Sequence, residues 1–294
     1  MKKLVTHSGS FHADDVYAVA ALQLYFGADA LDIVRTRDRA IIDAADIVVD
    51  VGGIHDASTL RFDHHQNGAP VRENGIPFAA FGLVWQMYGG ELCGDEKIAS
   101  WIDETLVQAV DAGDVGVTLY DLREANQMPY ELYQVIGSFR PAWGDTKPKD
   151  EAFFEAVAFA RSHLGRIIDQ HRGSAKMSLH MKALYEAATD KRVLVSDIAI
   201  SASAAIDHPE PLFVVSPDGD GDNANWVANA VALELGRFGN RRDFPAAWAG
   251  LTGVTLREVT GISDAVFCHK NRFCFVAGSK AGALAAVEQA LATE

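Results

Sequence analysis

The residues whose types and spacing point to chemistry fall in four short polar segments. The first reads His7-Ser8-Gly9-Ser10-Phe11-His12-Ala13-Asp14-Asp15, and the second sets Asp50 before Val51-Gly52-Gly53. The third is Asp63-His64-His65 and the fourth Asp111-Ala112-Gly113-Asp114. Carboxylates and imidazoles are what a hydrolytic divalent metal needs, because they supply negative charge and nitrogen donors without closing the coordination sphere. His7, His12, Asp14, Asp50, His64 and Asp111 are the candidate ligands. Two ions about 3.5–4 Å apart need a shared carboxylate, and Asp50, at the end of an apolar run, is the candidate bridge. Mixed His/Asp donors suit two manganese ions, with magnesium, zinc or cobalt as alternatives, better than calcium, whose shell is all oxygen.

Taken singly, each residue has a plainer reading. His7 and His12 fit a turn or core position, Asp15 fits the N-cap of the helix that follows, and Asp50 fits a strand-end turn. Asp63-His64-His65 is harder to place that way, since adjacent imidazoles beside an acid are costly to desolvate unless something binds them. Neighbouring side chains on an extended segment face opposite ways. His64 is therefore assigned to metal and His65 to the substrate phosphoryl oxygens as a general acid. Asp63 then orients one of the imidazoles.

Such a site needs elements that end together. Leu4-Val5-Thr6 reads as a strand before His7, Ile33-Val34 starts the next, and residues 47–51 form another, stopped by Gly52-Gly53. The Ala-rich run 16–22 between them predicts a helix. Strand–helix–strand alternation predicts a parallel sheet with helices on its faces, and ligands gather at the carboxyl ends of such strands. Helices are expected over about 78–87 and 97–109, the second delivering Asp111, with a short helix near 130–139. A long helical stretch follows over about 150–188, bent near Gly173-Ser174. Strands are expected at 192–196, 212–216, 226–231 and 273–277, with turn chemistry at 217–222 and a closing helix over 282–291. The fold class is α/β, with a parallel-sheet catalytic domain at 1–150, a helical linker region at 151–190 and a smaller α/β domain at 191–294.

Forty acidic against 26 basic residues give a net charge of −14. That balance argues against an extended basic nucleic-acid groove but not against a short substrate. Cys93, Cys268 and Cys274 form no CxxC pair and imply a reducing compartment. No apolar run reaches the roughly 18–20 residues of a membrane span, so the expected location is the cytoplasm. Arg35 and Arg37, after the second strand, and the cluster His269, Lys270 and Arg272, before the last, are candidate contacts to a phosphorylated substrate. Trp226 fits base stacking or, better, core packing.

Several blocks in fixed order resemble the melanocyte-proliferating-gene family of the DHH phosphoesterase superfamily, over nearly the whole chain. Besides the four polar segments they are Val34-Arg35-Thr36-Arg37-Asp38, Phe244-Pro245-Ala246-Ala247-Trp248-Ala249-Gly250-Leu251 and Asp264-Ala265-Val266-Phe267-Cys268-His269. The resemblance implies a catalytic DHH domain followed by a smaller substrate-holding one. It also implies a two-metal, usually manganese-type centre and hydrolysis of phosphodiester or phosphoanhydride bonds, and eukaryotic members look like 3′-to-5′ exoribonucleases. It puts the six candidate ligands on metal positions and His65 on the phosphate-contacting one. Two features depart from the family. Val227 stands where an arginine is common, and His269-Lys270-Asn271-Arg272-Phe273 replaces a His-Ala-x-Gly-Phe segment, which relocates any basic clamp. The expectation is a metal-dependent phosphodiesterase, a 3′-5′ exonuclease on short RNA or DNA. The alternatives are a hydrolase of a phosphorylated metabolite, dinucleotide or pyrophosphate, and a non-catalytic metal-stabilised binding protein. A homo-oligomer is compatible with either.

Overall fold

The computed structural model describes residues 1–121, 127–219, 221, 224–234 and 239–293. Asp220 and Asp222 of the expected turn lie outside the described residues. The chain divides into two compact units, Met1–Arg172 and Gly173–Glu294.

The first unit is built on five strands: β1 (Lys2–Thr6), β2 (Leu31–Arg35), β3 (Ile47–Val49), β4 (His55–Asp56) and β5 (Arg61–Phe62), in the order β2-β1-β3-β5-β4. β1 pairs in parallel with β2 and β3, and β3 with β5. The sheet is mixed rather than purely parallel, because β4 runs antiparallel to β5. The turn between them is tightened by Asp56, whose carboxylate accepts from the Ser58 backbone and both following hydroxyls. Five-residue β1, fully buried from Leu4 onward, is the axis from which the His7 loop departs.

Helix α1 (Ala13–Phe26) has no polar face over residues 16–22, and all of them are fully buried. A helix that is apolar all round belongs inside, and its small alanines let α3 (Ala80–Cys93) pack close. Short α2 (Arg39–Asp43) is capped by Asp38, which accepts from the Ala40 amide. Beyond α4 (Glu96–Ile102), the chain does not stop at residue 109. It passes through a π-helical turn at Asp103–Val107 into α5 (Gln108–Asp114). That extension puts Asp111 and Asp114 on one helix, three residues apart, rather than in a loop. α6 (Leu132–Gly137) is a single short helix, and α7 (Lys149–Ala187) is one continuous α-helix through Gly173-Ser174.

The second unit carries β6 (Val193–Val195), β7 (Phe213–Pro217), β8 (Trp226–Ala230), β9 (Ala265–Cys268) and β10 (Cys274–Ala277), ordered β6-β7-β8-β10-β9. Only β6–β7 is parallel. α8 (Gly253–Thr260) and strand β9 were not expected from the sequence, where short apolar runs with charged neighbours give little periodicity. α9 (Lys280–Ala292) starts on Ser279, whose hydroxyl accepts from Gly282 and donates to Asp264 at 2.5 Å. A side chain at Gly282 would lie 2.2 Å from that carboxylate, so glycine is required there. Trp226 packs at the edge of the Phe213–Phe244–Phe275 core with Lys280 Nζ 5.1 Å over its ring. Among the described residues no helix is long and apolar enough to cross a membrane.

Candidate metal centre

The loop after β1, the residue after β3, the segment after β5 and the last turn of α5 bring their polar side chains together in the first unit. Asp50 is the centre of this arrangement. Its backbone sits at φ 54, a left-handed conformation that few non-glycine residues adopt and aspartate tolerates better than most. The twist takes the chain out of β3 and leaves the carboxylate 2% exposed. Asp50 Oδ2 lies 3.3 Å from His7 Nε2, and Oδ1 lies 3.2 Å from His64 Nε2. The two oxygens thus serve different imidazoles, as a shared carboxylate must.

Other pairs repeat the same spacing. His7 Nε2 is 3.2 Å from Asp15 Oδ2, and His64 Nε2 is 3.6 Å from Asp14 Oδ2 and 3.3 Å from Asp114 Oδ2. His12 Nδ1 is 3.4 Å from Asp114 Oδ1. Yet His7 Nε2, His64 Nε2, Asp50 Oδ1, Asp14 Oδ1 and Asp15 Oδ2 are all buried without a hydrogen-bond partner. Buried polar atoms are almost always paired, so a cluster of orphans facing one another needs an explanation. Donors at about 2.1 Å from a common cation lie roughly 3.0–3.4 Å apart, which is the spacing of every pair here except His64–Asp14. Three triads can each hold an ion: His7, His12 and Asp50; Asp50, His64 and His65; His12, Asp14 and Asp114. The residues present fit a divalent metal.

The electrostatics agree. Asp14, Asp15 and Asp50 are buried together, and buried charges are normally paired or metal-bound. Burial works against a charged His7, but the Asp15 and Asp50 carboxylates overcome it and hold the imidazole up at about 10. Asp50 is the reverse case. Burial favours its neutral form, and the imidazoles of His64 and His7 outweigh this to hold it at about 2. Burial first, and then the charges of Asp50 and Asp114, push Asp14 well above the usual carboxylate range. The Nδ1–H of His7 points to the Ser8 carbonyl at 3.2 Å, which leaves Nε2 to face the carboxylates.

Two aspartates change places relative to the sequence reading. Asp111 is fully buried, but its carboxylate goes to Arg72 Nη2 at 2.7 Å and the Gly82 amide at 3.0 Å, outside every ligand triad. Asp114, one helical turn on, faces His12 and His64 instead. A Cβ at Gly82 would fall 1.9 Å from Asp111 Oδ2, so glycine admits this pair against α3. Asp15, read as a helix cap, does accept from the His12 amide at 2.8 Å, and its other oxygen also reaches His7. The spacing of Asp111 and Asp114 was the available signal for Asp114. Nothing in the sequence marks Arg72.

His64 and His65 do not face opposite ways. The segment is irregular after β5, the two rings stand 4.4 Å apart, and both reach Asp50 Oδ1. Asp63 binds His65 rather than His64. Arg35 is committed elsewhere: it donates to Asp150 and to the Gly9 carbonyl, with its guanidinium 4.4 Å from the Phe153 ring centre. Arg37 is exposed. In the second unit, Arg272 pairs with Asp243 at 2.7 Å, His269 Nδ1 accepts from the Asn271 amide, and Lys270 is exposed.

A family model, MYG1_exonuc, described as an uncharacterised protein family (UPF0160), matches residues 3–291. A "MYG1 protein" of Caenorhabditis elegans is 30% identical over 326 residues, covering 97% of this chain and 94% of the relative. A "MYG1 exonuclease" of Homo sapiens is 28% identical over 328 residues, covering 99% of this chain and 86% of the human protein. Among solved structures, "pGpG-specific phosphodiesterase - PggH from Vibrio cholrae" shares 14% identity at a TM-score of 0.33, covering 99% of this chain and 97% of that one. So low a score carries no argument about fold or activity.

Proposed function

The chain belongs to the MYG1_exonuc family (UPF0160), and from that membership and the buried cluster we propose that it is a metal-dependent phosphoesterase, a 3′-5′ exonuclease on short RNA or DNA. The observation that carries the reading is the set of orphaned donors around Asp50. The naming of mammalian relatives as exonucleases supports the reaction class. We assign the first unit to the DHH phosphoesterase type, on Asp63-His64-His65 following a strand end. His7, His12, Asp14, Asp50, His64 and Asp114 would hold two divalent ions, manganese first among them, with Asp50 shared.

Bound there, divalent ions supply an acidified water as nucleophile and positive charge for the phosphoryl oxygens. The chain's own residues do the rest. Asp50 and Asp14, held rigid by burial, fix where that charge sits. His65, with 62% of its side chain exposed, is anchored through Nδ1 and presents Nε2 outward, where it serves a phosphoryl or leaving oxygen. His269, Lys270 and Arg272 remain candidate substrate contacts of the second unit. A dinucleotide or other small phosphorylated compound is the second reading, favoured by the −14 net charge, which disfavours long polyanions.

The test is turnover of labelled oligoribonucleotides, oligodeoxynucleotides, cyclic dinucleotides and pyrophosphate with added manganese, native chain against Asp50→Asn. Asparagine tolerates the left-handed backbone, whereas alanine adds about 1–2 kcal/mol of backbone cost at φ 54 and confuses folding with chemistry. Residues behind the ligands typically contribute 10–100-fold, so Asp50→Asn should fall below about one hundredth of native turnover. Native-level turnover in that variant removes Asp50 from the centre, and a folded, metal-loaded chain that cleaves nothing in the panel removes the enzyme reading.

A further inference from the structure

Two cavities of the first unit meet at Arg140. One, of about 350 Å³, is lined by His12 and Asp114 of the metal cluster together with Tyr133, Gln134 and Arg140. The other, of about 290 Å³, is lined by Ser10, Phe11, Arg140, Trp143 and Lys149. Both are near the lower end of the roughly 300–1,000 Å³ typical of small-ligand sites.

The side chains on their shared edge are unusual for a surface. Trp143 is 102% exposed and Tyr133 43%. A tryptophan normally buries roughly 150–250 Å², and this one has no ring partner among the described residues. Arg140 is fixed in place, because Nε and Nη2 both donate to the Phe11 carbonyl, which leaves Nη1 uncommitted among the described residues. Phe11 is the residue before His12, so the guanidinium is tied to the ligand-bearing loop itself. Pro141 stiffens the backbone between Arg140 and the tryptophan. The result is a positioned cation shared by two cavities, one lined by the candidate ligands His12 and Asp114 and the other by an unused aromatic face, in a chain whose net charge is strongly negative.

We propose that the Arg140–Trp143 edge is a nucleobase subsite. Trp143 stacks on the base of the nucleotide whose phosphodiester sits at the cluster, and Arg140 Nη1 with Lys149 takes a neighbouring phosphate oxygen. Stacking on an aromatic face is tolerant of base identity, and a guanidinium recognises phosphate by geometry rather than sequence. The substrate class is therefore nucleotides carrying at least one base, with little preference among bases. Pyrophosphate and sugar phosphates lack the group this edge recognises. This deepens the phosphodiesterase reading and rests on it for the position of the phosphate, but binding of the base can be measured without turnover.

Intrinsic fluorescence, with Trp143→Phe as the reference that subtracts the other tryptophans, is followed during titration with adenosine 5′-monophosphate and, separately, ribose 5-phosphate in magnesium. The mononucleotide should quench the Trp143 signal and the sugar phosphate should not. In parallel, Trp143→Ala is compared with the native chain on a dinucleotide and its abasic counterpart. The variant should raise KM for the dinucleotide about 5- to 150-fold, the range that loss of one base stack supports, with kcat retained. It should also abolish the advantage of the dinucleotide over the abasic compound. Equal quenching by ribose 5-phosphate, or an unchanged KM in Trp143→Ala, overturns the subsite while leaving the phosphodiesterase reading intact. Base-dependent quenching at Trp143 in a chain that hydrolyses no phosphodiester sustains the subsite and overturns the phosphodiesterase reading instead.

Discussion

Asp63 Oδ1 lies 2.7 Å from Nδ1 of His65 and accepts the His65 backbone amide at 3.1 Å. The other oxygen, Oδ2, accepts the Gly53 amide at 2.5 Å. A single carboxylate, 1% exposed, therefore joins the segment that carries both histidines to the glycine turn that follows Asp50. It sets the orientation of a largely exposed imidazole, and it does so without belonging to any ligand triad.

Asp63→Asn keeps the size of the side chain and removes one acceptor, so the His65 ring loses its fixed orientation while the ligands stay in place. The expected result is a fall in kcat of about 10–100-fold, the range found when the partner of a site histidine is lost, with metal content unchanged by elemental analysis. A parallel fall in bound metal would mean that Asp63 holds the ligands rather than His65.

Proton linkage gives a second expectation. The folded state holds His7 at about 10, above its ordinary 6.5, so in metal-free protein its contacts with Asp15 and Asp50 stabilise fully below pH 6.5. That contribution is lost as pH rises through 10. Asp50, held at about 2, contributes above its ordinary 3.8, and that part is lost as pH falls through 2. A metal needs His7 Nε2 unprotonated, so binding at neutral pH must expel at least that proton. Manganese affinity should rise with pH from 6 towards 10. Calorimetry in two buffers of different ionisation enthalpy should show proton release at pH 7, and buffer-independent heats would contradict the assignment of His7.

Asp111 and Asp114 separate a structural carboxylate from a candidate ligand. Asp114→Asn should lower metal content and turnover with little loss of stability, because its side chain is at the rim of the cluster. Asp111→Asn should do the opposite. It leaves the Arg72 guanidinium, 7% exposed, with Asp103 as its remaining carboxylate, and costs on the order of 3 kcal/mol. Thermal unfolding and metal analysis of the two variants distinguish them, and identical behaviour would collapse the distinction.

How far the sequence could be read depends on the kind of signal. Leu4-Val5-Thr6, the Ala-rich α1 and residues 47–49 are unbroken apolar runs between polar loops, and periodicity finds them with errors of a few residues. The candidate-ligand segments follow from residue type at strand ends. What escaped depends on geometry that no local pattern records. The π-helical turn at Asp103–Val107 carried the helix past its expected end and turned Asp114, not Asp111, towards His64. The alternation rule failed at His64-His65 because it holds only within a strand. Arg35 looked like a phosphate contact because it follows a strand end, yet its partners Gly9 and Asp150 are 26 and 115 residues away.

That last pair supports a prediction of its own. The Arg35 side chain is 1% exposed, so it reaches no substrate without first leaving its place. Its Nη2 donates to the Gly9 carbonyl at 3.0 Å, inside the loop that carries His7 and His12, and its guanidinium packs on Phe153. Lysine offers one point charge where the guanidinium offers a planar fork, so Arg35→Lys should loosen that loop. Metal affinity and the melting temperature should fall together, while KM for substrate under saturating metal stays near the native value. Arg37→Ala, a change at an exposed side chain, should leave both metal affinity and melting temperature unaltered. If Arg35→Lys instead raised KM with metal affinity preserved, the arginine would be a substrate contact after all, and its burial would have to give way when substrate binds.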